Sequence, residues 1–287
     1  MLTHNLPACR LLVDGPQAGG WNMAVDEALL ESAAQRGEPC WRFYAWREPT
    51  LSLGYFQDYD DRPEHGPSRL CPAVRRLTGG GAILHDAELT YSVVLPGGHP
   101  LAARRDRLYT AVHRALIEAL AEMGELSVVS CQLSVDPRPT SGYPGYPAAD
   151  GQRTTDNEQR TLIPQSPIPN PQSPFFCFQR RTPGDVLLLG HKIAGSAQRR
   201  RRGAVLQHGS LLLRRSPAAP ELPGLEDITG RAIPAEAIMT PWLRRLGHIL
   251  GVSWAEGGLS EMEARRAADL LLTRYARAGQ LGGTPCF

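Results

Sequence analysis

Hydrophobic and polar residues alternate along this 287-residue chain with two periods, and each period predicts a different kind of element. Apolar side chains at every second position are typical of strands, whereas spacings of three and four residues are typical of helices. The first pattern predicts strands at 9–14, 41–46, 51–54, 73–77, 82–85, 89–95, 126–131, 186–189 and 204–213. The residues between the last two strands, 190–203, are expected to form a loop.

The helical period is clearest over 104–123, where leucine, valine and alanine recur at intervals of three and four residues. An earlier helix is expected from about Asn22, where alanine, valine and leucine form an apolar face. It carries Asp26 and Glu27 in its early turns, and carboxylates there complement the helix macrodipole.

The C-terminal part of the chain is also predicted to be helical. One helix is expected over about 234–251, and another opens at Ser260, which with Glu263 has the S-x-x-E form of a capping box. The strands and helices together indicate an α+β fold with a mixed or antiparallel sheet and flanking helices. We expect a catalytic domain over 1–215, followed over 216–287 by a Pro-rich bridge and a small helical appendage.

One internal segment, 134–174, differs in composition from the rest of the chain. It contains nine prolines and repeats the triplet Gln-Ser-Pro. Such a composition does not bury enough apolar surface to offset the entropy of ordering the chain. We therefore predict a disordered insertion within the domain, because strand patterns resume directly after it.

The composition excludes several classes of protein. The formal net charge is only +2, so nothing requires a nucleic-acid partner. No apolar run approaches the roughly 20 residues that span a bilayer, so no membrane association is expected. The first residues lack the basic and apolar pattern of a secretory signal. The six cysteines contain no C-x-x-C pair, and we expect them to be reduced in the cytoplasm.

Lys192 is the only lysine among the 31 basic residues of the chain. An arginine-favouring codon usage explains the bias but leaves one position unexplained, and chance retention of a single lysine is the alternative. A lysine differs from an arginine in presenting a compact point charge. Small residues around it, including Gly195 and Ser196, suit close packing of a ligand carbonyl against the ammonium.

A second candidate stretch places three glycines after two arginines. Gly79, Gly80 and Gly81 let the backbone approach a ligand where any Cβ would clash. Arg75 and Arg76 offer forked donors for a carboxylate or a phosphate. A hairpin turn is the alternative explanation of the triple glycine.

Two further side chains are candidates for chemistry. His85 lies at a predicted strand end beside Asp86 and is either a base or half of a satisfied polar pair. Cys177 lies among three phenylalanines and is either a buried core thiol or a nucleophile. Its proximity to Lys192 favours the nucleophile, because a nearby ammonium favours the thiolate form.

Several of these stretches resemble the lipoate–protein ligase and octanoyltransferase family, which shares its fold with biotin protein ligases and is related to class II synthetases. The matching stretches are 22–30, 41–44, 51–57, the Arg-Arg-x-x-Gly-Gly-Gly-Ala-x-x-His-Asp run from Arg75, 190–198 and 207–212. The resemblance covers about 8–215 apart from the insertion. It implies that the glycine run lines an acyl-chain pocket and that Lys192 contacts the acyl carbonyl.

The resemblance also implies a reaction. Cys177 precedes Lys192 by 15 positions, as in the Cys-first octanoyltransferases, and only Cys286 follows the lysine, so the Cys-last branch fits poorly. The implied catalytic residues are Cys177 and Lys192. The implied substrate-binding residues are Arg75, Arg76, Gly79, Gly80, Gly81, His85, Gly195 and Ser196.

The expected activity is octanoyl transfer in lipoate biosynthesis, through a thioester on Cys177. The implied donor is octanoyl-acyl carrier protein, and the implied acceptor is a lysine of a lipoyl domain or of the glycine-cleavage H protein. No metal, nucleotide or other cofactor is expected. Because Lys192 is the only lysine in the chain, the acceptor lysine must lie on another protein.

Two other functions remain as alternatives. An ATP-dependent lipoate ligase would use Arg75, Arg76 and Lys192 on phosphates, with Cys177 merely structural. An RNA-binding module would use the run 199–202, which is four arginines, but the chain lacks the aromatic-interleaved basic strip typical of such modules. The same run either docks acidic carrier domains or is a solvated loop.

Overall fold

Eleven strands and five α-helices make up the part of the chain that the computed structural model describes, which is residues 6–60, 65–123, 129–131 and 175–275. The strands are β1 (Ala8–Gln17), β2 (Cys40–Trp46), β3 (Thr50–Leu53), β4 (Ala73–Arg75), β5 (Ile83–His85), β6 (Glu88–Leu95), β7 (Val129–Cys131), β8 (Val186–Leu188), β9 (His191–Arg201), β10 (Ala204–Leu212) and β11 (Ser253–Glu256). The helices are α1 (Gly19–Arg36), α2 (Arg105–Glu122), α3 (Leu225–Thr229), α4 (Ala235–Leu250) and α5 (Glu261–Leu270). The predicted insertion, 134–174, lies outside the described residues.

The strands form a large mixed sheet and a small one, which confirms the predicted α+β class. The large sheet has eight strands in the order β11-β1-β2-β6-β10-β9-β8-β7. Strand β1 runs parallel to both of its neighbours, and the other pairs are antiparallel. The small sheet has the order β4-β3-β5. Among the described helices, none combines the length and apolar character needed to cross a bilayer.

Helices α2 and α4 cover one face of the large sheet. The core there is built on aromatic side chains from three elements, because Trp41 stacks on Tyr91 at 5.0 Å and meets the ring of Trp242 edge-on at 5.5 Å. Aromatic pairs in these geometries add to the stability that area burial provides. The Trp242 indole also donates to the carbonyl of Val112 at 3.2 Å, which fixes α4 against α2.

Helix α1 covers the other face of the large sheet, with α5 packed against it. The prediction that Asp26 and Glu27 complement the α1 macrodipole was wrong, because the helix begins at Gly19 and its first turn carries no acidic residue. Both carboxylates are buried and paired. Asp26 accepts hydrogen bonds from Arg42 at 3.0 Å and Glu27 accepts from Tyr275 at 2.8 Å.

The C-terminal segment is helical as predicted, but it packs into the main core and is not an appendage. Strand β11, which the sequence pattern did not predict, extends the large sheet by pairing with β1. Trp242 of α4 is fully buried in the aromatic core. The predicted capping box is present at α5, where Ser260 Oγ accepts from the Glu263 amide at 3.3 Å and Glu263 accepts from the Ser260 amide at 2.8 Å.

The predicted loop over 190–203 was also wrong, because its residues form the eleven-residue strand β9. Small residues and four consecutive arginines hide the alternating pattern there. The strand is specified by its pairing with β8 and β10, which no local pattern reports. The arginines do not form one patch. Arg200 donates to the Ala102 carbonyl, whereas Arg201 bonds Glu27 and Glu31 on α1.

Candidate active site

Cys177 and Lys192 lie side by side, with the Lys192 ammonium nitrogen 3.8 Å from the Cys177 sulfur. Cys177 opens a single 3-10 turn, and the neighbouring Phe176 and Phe178 are buried and anchor that turn. The thiol itself is half-buried and free. The geometry therefore places a cation beside a partly exposed thiol, an arrangement suited to covalent catalysis by cysteine.

The Lys192 ammonium is itself held by three oxygens. Its nitrogen lies 2.9 Å from Asp185 Oδ2, 3.2 Å from the Cys177 carbonyl and 3.3 Å from the Arg180 carbonyl. An ammonium has three N–H donors, so these acceptors match its full capacity. The Cys177 turn and Lys192 are thus tied together through backbone as well as through the thiol.

Asp185 is the site residue that sequence reasoning missed. Its side chain is 3% exposed, and Oδ2 also accepts from the amide and the hydroxyl of Thr182, at 2.7 and 3.0 Å. Tyr109 of α2 donates to the other oxygen at 3.0 Å. The one available signal was an acidic residue directly before the apolar strand β8, which many surface turns share. Only the three-dimensional structure shows that Asp185 is paired with Lys192.

Strand β9 carries a bulge that aims Lys192 at the site. Val186 pairs with Ala194 and Leu187 pairs with Lys192, so β9 contains one extra residue between these pairs. The bulge brings Lys192 and Gly195 to the same side of the strand although they are three positions apart. A Cβ on Gly195 would lie 2.7 Å from Lys192 Cε, so only glycine leaves room for the lysine side chain.

The glycine run closes the other side of Cys177. The Cys177 amide donates to the Ala82 carbonyl at 2.8 Å, and the Ala82 amide donates to the Phe175 carbonyl at 3.0 Å. A Cβ on Gly81 would lie 3.0 Å from the Cys177 amide nitrogen, which is closer than a side chain tolerates. Gly80 has φ +98°, and a Cβ there would point towards the Cys177 sulfur at 3.8 Å. Gly80 and Gly81 therefore lie beside Cys177, whereas a Cβ on Gly79 would meet only the Phe56 ring, at 4.0 Å.

Arg76 lies under the glycine run and is 2% exposed. Its guanidinium donates to the carbonyls of Ser52, Gly79 and Gly81 at 2.8, 2.9 and 2.6 Å. Burial lowers the pKa of Arg76 to about 10, and the nearby Cys177 thiol opposes that shift. Within the described residues no carboxylate lies at ion-pair distance from this guanidinium.

Arg75 and His85 do not contact the Cys177 thiol. Arg75 donates to the carbonyls of Gly54 and Tyr55 at 3.2 and 3.3 Å and so holds the loop after β3. His85 is buried, stacks on Trp46 at 3.9 Å, and hydrogen bonds through both ring nitrogens. Its ring-nitrogen partners are Ser52 at 2.7 Å and Glu88 at 2.6 Å. The expected polar pair therefore exists, but its acid is Glu88 and not Asp86.

Ser196 lies in a chain of buried hydrogen bonds beneath Asp185. His113 of α2 contacts the Gly184 carbonyl through Nδ1 and Ser196 Oγ through Nε2, both at 2.5 Å. Nδ1 must carry the proton, because a carbonyl is only an acceptor, so the Ser196 hydroxyl donates to Nε2. Tyr91 then donates to Ser196 and accepts from Gln207, at 2.5 and 2.9 Å. Burial lowers the pKa of His113 to about 4, which keeps this arrangement neutral at the ring.

The comparison with protein families identifies the fold. A model of the lipoyl protein ligase A/B catalytic domain matches residues 19–219. The chain belongs to this family. Octanoyltransferase LipM of Moorella thermoacetica is 33% identical over 297 residues, which cover 95% of this chain and 97% of that relative. Octanoyltransferase LipM of Kyrpidia tusciae is 30% identical, with 93% and 95% covered.

Solved structures of the family share the architecture. Lipoate-protein ligase A bound with ATP superposes with a TM-score of 0.62 at 21% identity, covering 94% of this chain and 96% of that structure. The bipartite lipoate protein ligase of Thermoplasma acidophilum gives a TM-score of 0.60 at 19% identity, with 95% and 94% covered. At these identities the similarity establishes the fold alone.

Proposed function

We propose that this protein is an octanoyltransferase that moves an octanoyl group from a carrier thioester to a lysine of another protein, through Cys177. The observation that carries the proposal is the 3.8 Å approach of the Lys192 ammonium to a half-buried thiol. The curated relatives that span nearly the whole chain are octanoyltransferases, which supports the same reaction.

The first step is acylation of the enzyme. The Cys177 thiolate attacks the carbonyl carbon of octanoyl-acyl carrier protein, and the bond from that carbon to the carrier sulfur breaks. The carrier leaves as a free thiol after taking up a proton. The Lys192 ammonium lies 3.8 Å from the attacking sulfur and is paired with Asp185. The Arg76 guanidinium is buried nearby, so two cationic groups adjoin the site of attack.

The second step is transfer to the acceptor. A neutral lysine amine on a lipoyl domain or on the glycine-cleavage H protein attacks the thioester carbon, which forms the amide C–N bond. The C–S bond to Cys177 breaks, the amine proton passes to solvent, and the cysteine returns as thiolate. The two steps together consume only the carrier thioester and the acceptor lysine amine.

Stabilisation of the acyl oxygen requires a donor that is not already committed. The three N–H groups of Lys192 are matched by Asp185, the Cys177 carbonyl and the Arg180 carbonyl. Lys192 reaches an acyl oxygen only by releasing one acceptor, and the Arg180 carbonyl, at 3.3 Å, is the longest of the three contacts. We propose that the acyl oxygen replaces this carbonyl during the reaction.

Intact mass spectrometry with octanoyl-acyl carrier protein tests the proposal. The protein should gain one octanoyl group that hydroxylamine removes, and Cys177→Ala should gain none. Cys71→Ala is the matched control, because Cys71 is also a half-buried cysteine outside any disulfide. This variant should be acylated like the parent. If the folded parent protein forms no adduct but makes an acyl-adenylate with ATP, the transferase proposal is wrong and the protein is an ATP-dependent ligase.

A further inference from the structure

The hairpin between β8 and β9 ends in a two-residue turn, Leu189–Gly190, three residues before Lys192. Both residues have positive φ, 47° and 81°, as the type I′ turn requires. Asparagine, aspartate or glycine is preferred at the first of these positions, because a larger side chain is strained there. The chain instead places a leucine at this position, with 60% of its surface exposed.

The second hairpin of the same sheet offers a comparison. The turn between β9 and β10 is Arg202–Gly203, with φ values of 48° and 84°. It has the same backbone and also places a non-glycine residue at the first position. There the residue is a charged one that water solvates well. The apolar side chain at Leu189 therefore has neither a conformational nor a hydration advantage in the free protein.

The turn is tied to the catalytic segment. Arg181 donates to the Gly190 carbonyl at 2.5 Å, and Lys192 donates to the Arg180 carbonyl at 3.3 Å. The segment from Cys177 to Arg181 therefore runs beside the β8–β9 hairpin, from the thiol to the turn at its tip. With a rise of about 3.3 Å per residue, the tip lies roughly 10 Å from Lys192.

The surface around the tip is positive. Residues 175–191 contain two arginines and one histidine, and their single acid is Asp185. Asp185 is buried and already paired with Lys192. Arg181 is exposed, so the apolar side chain of Leu189 belongs to a segment with an exposed cationic group and no exposed carboxylate. The partner that complements this surface is acidic with an apolar spot.

The acceptor must come close to this surface. A lysine side chain spans roughly 6 Å from its Cα to its nitrogen, so the acceptor backbone has to approach Cys177 to within that distance. The acyl donor has no such requirement, because its thioester is carried on a long flexible arm. Resting on the proposed function, we propose that Leu189 packs against the acceptor domain beside its target lysine, while Arg181 faces acidic residues there.

The test separates the two half-reactions. Leu189→Asn removes the apolar side chain and puts a preferred residue in the turn, so the melting temperature should be no lower than that of the parent. Acylation of Cys177 by octanoyl-coenzyme A should be unchanged. Transfer from the purified acyl-enzyme to a lipoyl domain should slow by about tenfold, the loss typical of truncating an interface anchor.

Met262→Gln is the matched control, because Met262 is 62% exposed on α5, and its transfer rate should equal that of the parent. Transfer by the parent should also slow as salt is raised, whereas acylation by the small thioester should not. Parental transfer by Leu189→Asn would overturn the proposal. So would a defect confined to acylation by octanoyl-acyl carrier protein, which would assign the tip to the donor. Failure of the parent to become acylated at all would instead overturn the proposed function.

Discussion

Asp185→Asn isolates the charge that holds Lys192. The two side chains are each 3% exposed and their charged atoms are 2.9 Å apart. The substitution preserves the shape of the side chain and removes the only carboxylate paired with the ammonium among the described residues. The ammonium keeps the carbonyls of Cys177 and Arg180 and the Cys177 sulfur as partners. Removing one member of a buried ion pair strands the other, because a buried charge without a counter-ion is poorly solvated.

The expected loss is large on the scale of domain stability. A stranded buried charge lowers the free energy of unfolding by about 3–5 kcal/mol, a substantial part of the roughly 5–15 kcal/mol that a domain possesses. Glu118→Gln is the control, because the pairs of Glu118 with Arg114 and Arg245 lie at the surface. That substitution should change the free energy of unfolding by at most about 1 kcal/mol.

Urea unfolding of four proteins at pH 7 measures the effect: the parent, Asp185→Asn, Lys192→Met and the double variant. The double variant should be more stable than Asp185→Asn by at least about 1 kcal/mol, because no charge is then stranded. An Asp185→Asn protein within about 1 kcal/mol of the parent would refute the argument. A double variant that shows no recovery would refute it equally.

Three further predictions concern the same site. Lys192→Arg should slow acylation of Cys177 by at least about 100-fold despite its equal charge, because a planar fork does not fit three converging acceptors. Gly195→Ala should also slow acylation, by about tenfold or more, because its Cβ would lie 2.7 Å from Lys192 Cε. The parent should lose stability as the pH falls from about 6.5 towards 4, because the pKa of His113 is lowered to about 4 in the folded protein and the unfolded chain binds the proton more tightly.

Each of these predictions has a distinct check. Stopped-flow or quenched mass spectrometry gives the acylation rates, and parental rates in Lys192→Arg or Gly195→Ala would contradict the geometry. Gly258→Ala is the control for the glycine, since a Cβ there meets no atom within 4 Å. The lowered pKa of His113 corresponds to a change of about 3 kcal/mol in the free energy of unfolding over this pH range. Urea unfolding of the parent and of His113→Asn between pH 4 and 7 isolates the contribution of His113. If the free energy of unfolding changes equally with pH in both proteins, His113 is not its source.

Most of the fold prediction rested on the periodic spacing of apolar residues. It failed where pairing with distant strands determines the conformation. Helix α2 was predictable because its leucine, valine and alanine residues recur at helical spacing. Strands β2, β6 and β10 were predictable because each is a short segment rich in apolar or aromatic residues. Strand β9 was not, because Gly195, Ser196 and four arginines give no alternation. Its eight backbone pairs with β10 specify the conformation, and they depend on a strand that comes later in the chain.

Some residues of the candidate site could be predicted from the sequence, and others became recognisable only from tertiary packing. Cys177 and Lys192 were predictable because their chemistry is unusual for this sequence, a single lysine close to a thiol. Asp185, Tyr109 and His113 were missed because common residue types acquire a role only when α2 packs against the strand β8 region. Arg76 was predicted as a ligand-binding fork, whereas its two terminal nitrogens donate to the carbonyls of Ser52, Gly79 and Gly81. Its Nε is buried and has no hydrogen-bond partner among the described residues.

The two cations beside Cys177 are therefore in different electrostatic states. Lys192 is neutralised by Asp185, while Arg76 is buried with no carboxylate at ion-pair distance among the described residues. In the proposed mechanism, the Cys177 thiolate supplies negative charge near this guanidinium. Acylation converts it to a neutral thioester and leaves the guanidinium with carbonyl partners alone. Departure of Cys177 in the second step restores the ion pair, so the charge that makes the cysteine a nucleophile also makes it a good leaving group.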